Sequence, residues 1–152
     1  MSSPDPSLQG CTAESTDSKI TVKRDGRRAT FDNSERAAIK CVDLDRWIPS
    51  TETKKADYVV SKPGVADVIV ELKGKDIEHA VEQIVVTLGK WKSAPPYSEK
   101  VGGLIVFTRC PMRSAETNDI KKRLLIQHGL WLEMDKNQKT EYRFETFTGK
   151  RA

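Results

Sequence analysis

Seven apolar residues between Ile77 and Trp91 recur at helical spacing: Ile77, Ala80, Val81, Ile84, Val85, Leu88 and Trp91. They form one continuous face, which a chain in water must cover. On either side lie apolar runs too short for helices. Residues 66–73 alternate, with Val68, Val70 and Leu72 on one face and Asp67, Ile69, Glu71 and Lys73 on the other. Residues 101–108 are almost wholly apolar after Gly102-Gly103, the pattern of a strand buried on both faces. A strand, a one-faced helix and a buried strand in succession imply an α/β domain.

The flanking segments extend this reading. Lys19 to Lys23 reads as a short strand, and Asp25-Gly26 is a turn signal. Residues 36–47 suit either state: Glu35 to Ala38 favours a helix that Asn33 or Ser34 could cap, but Ile39 and Cys41 favour a strand, the reading adopted here. Residues 56–60 and 66–73 form a hairpin around Ser61-Lys62-Pro63-Gly64. Asp76 stands at the start of the long helix as a cap, and Pro95-Pro96 forbids its continuation. A second helix is expected over 116–128, ended by Gly129. Two closing strands are expected at 130–134 and 142–147.

The chain has 152 residues, which suits one domain. Residues 1–18, rich in Ser, Pro, Thr and Asp, are read as a flexible tail, and residues 19–152 as the folded domain. The net charge of +4 permits a nucleic-acid partner without requiring one. Three cysteines with no close pair argue against a disulfide framework, and Cys41 and Cys110 read as small core residues. No apolar run approaches the roughly 20 residues of a membrane helix, and no secretion signal is legible. No membrane association and a cytoplasmic or nuclear location are therefore expected.

Hairpin arithmetic brings one polar group together. A turn centred on Pro63-Gly64-Val65 sets Asp57 opposite residues 70–73, where Glu71 and Lys73 share a face. Magnesium takes hard oxygen ligands, commonly one or two carboxylates with water and phosphate. A lysine two residues from the glutamate suits handling of an attacking water. Gln83, beside the apolar stripe of the helix, is placed to reach over the strand ends. Asp67 has the parity of Glu71 but lies nearer the turn and is read as solvated. His79 and Arg109 are weaker candidates for nucleic-acid contact; a surface role for His79 is the favoured alternative. Lys121-Lys122-Arg123 reads as a solvated helix face.

Asp57-Tyr58, the run from Val68 to Gly74 and the run from Asp76 to Gln83 resemble the PD-(D/E)XK nuclease superfamily. The likeness is to small single-domain members with "CDY", "IELKG" and a helix beginning "DIxHAxEQ". It extends more faintly through Leu104 to Pro111, against a strand of the form "IVxSRxP". Ala56 stands where those proteins have Cys, and the proline of the superfamily's name is absent. Glu35 is the one candidate for the further acidic residue many members carry before the hairpin.

The resemblance implies a restriction-endonuclease-like core: a central mixed sheet with an antiparallel hairpin, flanked by helices. It implies metal binding by Asp57 and Glu71, with Mg2+ or Mn2+ as cofactor, and a catalytic set of Asp57, Glu71, Lys73 and Gln83. The expected activity is hydrolysis of nucleic-acid phosphodiester bonds, with DNA favoured over RNA. The alternative is a catalytically silent module of the same fold that binds a protein partner in an immunity or regulatory role. A homodimer is also left open.

Overall fold

The computed structural model describes residues 10–48, 54–72, 76–93, 97–107, 113–136 and 141–149. The chain begins with β1 (Thr12–Ser15), β2 (Lys19–Arg24) and β3 (Arg27–Asp32). β4 (Ile39–Asp43) leads directly into a single helical turn, α1 (Leu44–Trp47). The hairpin β5 (Tyr58–Lys62) and β6 (Ala66–Leu72) precedes α2 (Ile77–Ser93), β7 (Val101–Phe107), α3 (Ser114–His128) and β8 (Trp131–Lys136). A 3-10 helix at Phe144–Thr148 follows.

Six strands make one mixed sheet in the order β1-β4-β5-β6-β7-β8. The first four pair antiparallel, and β6, β7 and β8 run parallel. Each parallel link passes through a helix, as a parallel crossover requires. The two helices pack on one face, where Ile69, Ile84, Leu88, Trp91, Ile105 and Leu124 share a core. On the other face Val68, Val70, Leu104 and Val106 meet Ile20, Val22, Phe31, Phe144 and Phe147. That second layer is the separate β2–β3 hairpin together with the 3-10 helix. The long helix has the expected buried face, and Asp76 accepts the His79 amide at 2.9 Å as its cap.

Four segments differ from the sequence reading. Residues 12–15, read as tail, form an edge strand paired to β4, from Thr12↔Val42 to Ser15↔Ile39. Their polar composition suits an edge, where one side of the backbone meets water. Residues 27–32 form a strand that the two arginines at its start conceal; only Ala29 and Phe31 reach the core. Residues 36–47 are part strand and part helix: Asp43 ends β4 and accepts the Asp45 amide at 3.0 Å, capping α1. Asn33 does not cap a helix. It is buried and fixes the loop through Ala37 N–H, Ala37 C=O and Asp17 C=O.

Residues 142–147 are not a closing strand. Tyr142 makes a single parallel bridge to Phe31, and the 3-10 helix follows. Phe144 and Phe147, three residues apart, both point into the core, as the three-residue turn of a 3-10 helix allows and strand alternation does not. This helix lies so close to β7 that a Cβ on Gly102 would sit 2.5 Å from Phe147 Cβ.

Candidate functional site

The hairpin register pairs Tyr58 with Val70 and Lys62 with Ala66. Asp57 lies in the bend just before Tyr58, beyond the last pair of that register. Glu71 has the parity of Ile69, which belongs to the helix-side core. Asp57 and Glu71 therefore both lie near the end of the sheet where β6 finishes. Lys73 lies outside the described residues, as do Arg109 and Cys110.

Asp57 is held on several sides. Its amide donates to Val70 C=O at 3.0 Å, its carbonyl accepts the Leu44 amide at 3.1 Å, and its Oδ2 accepts the Leu72 amide at 2.8 Å. The carboxylate thus caps the end of β6 immediately past Glu71, leaving its side chain 16% exposed. Glu71 is 2% exposed. The hard oxygen donors of Asp57 and Glu71 fit magnesium or manganese in kind, water and phosphate completing the shell. Among the described residues no group of three or more His, Cys, Asp and Glu gathers into a metal cluster.

α2 positions the segment entering the site. The Ala56 amide donates to Thr87 Oγ1 at 2.8 Å, and that hydroxyl donates to Gln83 C=O at 2.7 Å. Gln83 Nε2 donates to Lys55 C=O at 2.8 Å, while its buried Oε1 has no hydrogen-bond partner among the described residues. Gln83 therefore fastens the chain one residue before Ala56-Asp57, with one oxygen remaining for a donor. His79 is half-buried on the same helix, and only its backbone amide has a described hydrogen bond.

Several residues gather here that the sequence did not single out. Arg24, at the end of β2, has the parity of buried Ile20 and Val22 and so faces the main sheet. Its Nε lies 3.7 Å from Asp57 Oδ1, its Nη2 lies 3.5 Å from Asp43 Oδ1, and its Nη1 pairs with Asp45. The guanidinium also stacks over Tyr58 at 5.0 Å. Lys55 Nζ lies 3.7 Å from Asp45. Arg24 thus links three carboxylates of α1, β4 and β5 to the β2–β3 hairpin. The available signal was alternation through Ala29 and Phe31 after Asp25-Gly26, which identifies a second strand and hence a hairpin.

Two expectations are corrected. Asp67 is not solvated: it is 0% exposed, with Oδ1 accepting from Ser61 Oγ at 2.5 Å and Oδ2 from Trp91 Nε1 at 2.9 Å. The Tyr97 and Ser98 amides also donate to Oδ2, at 3.1 and 3.2 Å. Glu35 does not approach the carboxylate pair. It bonds Lys62 Nζ at 2.8 Å, at the far end of β5.

No family model, curated protein or solved structure matches the chain significantly. No helix among the described residues is long and apolar enough to cross a membrane. The functional reading therefore rests on the residues at this sheet end.

Proposed function

We propose that the chain is a divalent-metal-dependent nuclease, of the PD-(D/E)XK type its sequence resembles. The observation that supports the reading is the hydrogen bond from the Leu72 amide to Asp57 Oδ2, which holds the Asp57 carboxylate beside the end of β6 that carries Glu71. Asp57 and Glu71 would hold the ion. The chemistry such an ion supplies when bound is polarisation of a phosphoryl oxygen and acidification of a water. The Leu72 amide fixes one oxygen of Asp57, so the carboxylate is oriented before any ligand arrives. Lys73, two residues beyond Glu71, is assigned to orienting the attacking water or neutralising developing charge. Gln83 is assigned to positioning, since its amide nitrogen holds Lys55.

The test is cleavage of duplex DNA, single-stranded DNA, branched DNA and RNA with magnesium or manganese. At least one should be cut, and cutting should cease with chelator, with Glu71→Gln and with Lys73→Ala. A wild-type protein that cuts none of the four sinks the reading.

One observation favours a second reading, a silent module that binds a protein partner. Arg24 already places a cation 3.7 Å from Asp57. On that reading Glu71→Gln leaves partner binding intact, and the wild-type protein gains no thermal stability from manganese.

A further inference from the structure

The β2–β3 hairpin ends in the run Lys23-Arg24-Asp25-Gly26-Arg27-Arg28, four cations around one carboxylate. Its register sets Lys23 opposite Arg28 and Arg24 opposite Arg27. Like charges facing each other across two strands destabilise a hairpin. Alternation divides them between two faces. Arg24 has the parity of buried Ile20 and Val22, and Arg27 that of buried Ala29 and Phe31. Lys23 and Arg28 are exposed on the opposite face, and neither has an ion pair among the described residues.

Asp25 and Gly26 have φ of 52° and 78°, the left-handed pair of a two-residue hairpin turn. An open surface depression is lined by residues 23–28. The tip is also fastened beside the carboxylate pair: Tyr58 Oη donates to Lys23 C=O at 2.9 Å, and Arg24 reaches Asp57.

We infer that the β2–β3 hairpin tip, through the exposed Lys23 and Arg28, binds the phosphate backbone of a nucleic acid and presents it to the Asp57–Glu71 end of the sheet. This deepens the nuclease reading and rests on it for the class of ligand. Phosphates would neutralise the facing Lys23 and Arg28, while Arg24, turned towards Asp43, Asp45 and Asp57, keeps the tip in place. The cations that contact phosphate are thus distinct from the one that anchors the hairpin.

The experiment is binding in chelator, where no metal-dependent cutting occurs. Thirty-nucleotide labelled duplex DNA, single-stranded DNA and RNA are titrated with full-length protein over a range of salt. Wild-type protein should bind at least one of them, with affinity falling steeply as salt rises. The combined Lys23→Gln, Arg28→Gln variant should bind that probe at least about tenfold more weakly, its logarithmic salt slope shallower by about 1 to 2. Removing this facing like-charge pair should also raise its melting temperature. If that variant does not fold, Arg28→Glu alone supplies the same reading. Unchanged affinity and slope in a folded variant, or no wild-type binding to any probe, overturns the inference. Wild-type protein that binds through the tip but cuts nothing with metal overturns the nuclease reading and leaves this one standing.

Discussion

Asp67 and Glu71 stand four residues apart on the same strand face, yet the structure gives them different surroundings. Asp67 accepts four hydrogen bonds from Ser61, Trp91, Tyr97 and Ser98, joining β6 to its hairpin partner, to the end of α2 and to the segment before β7. That is the pattern of a structural carboxylate. Asp67→Ala should cost about 3 kcal/mol, because it strands buried donors, and Asp67→Asn much less, because it keeps an acceptor. Denaturant unfolding of the two variants checks this. Burial raises the Asp67 pKa above its ordinary 3.8, with the bonds from Ser61, Trp91 and Ser98 opposing the rise. A raised native pKa means the folded state holds a proton the unfolded chain has released. The Asp67 contribution is therefore most favourable below pH 3.8 and declines as pH rises through the native pKa. The unfolding free energy of wild type relative to Asp67→Asn should accordingly grow as pH is lowered from neutral towards about 4. A difference that shrinks on acidification would contradict the assignment. Sequence parity placed Asp67 and Glu71 on one face, but nothing in the local pattern discloses that Trp91, 24 residues later, carries a donor to Asp67.

At the scale of elements, α2 serves the site through the turn it anchors. Thr87 is fully buried and takes the Ala56 amide, so the chain entering β5 is fixed one residue before Asp57. Thr87→Val keeps the shape and removes the acceptor. It should lower stability by about 1–3 kcal/mol, and loosen Asp57 relative to Glu71. Amide exchange at Ala56 measures the second effect; unchanged protection there would show that Thr87 does not hold the segment. The elements legible in the sequence were those with a regular period: α2 through its apolar stripe, β6 through alternation and β7 through its unbroken run. β1 and β3 escaped because they bury few residues. The 3-10 helix was mistaken for a strand because Phe144 and Phe147 suit its period, while aromatic content suggests β structure.

Across the whole molecule, two layers meet at one sheet end. The chain from Asp57 through the β5–β6 hairpin supplies the carboxylates, and the β2–β3 hairpin brings Arg24 and its cationic tip. The α/β class and the hairpin register could be read from sequence because each follows from patterns within neighbouring segments, whereas the mixed sheet was expected only from the resemblance. The docking of residues 19–32 against the far face could not, since it depends on Ile20, Val22 and Phe31 meeting Val68, Val70 and Phe147 across long stretches of chain. The central claim is that Asp57 and Glu71 together hold a divalent ion, and anomalous scattering from a manganese-soaked crystal tests it most directly. The account predicts a manganese peak between the two carboxylates that disappears in Glu71→Gln. A well-ordered site with no peak there, or a peak that persists in Glu71→Gln, would contradict it.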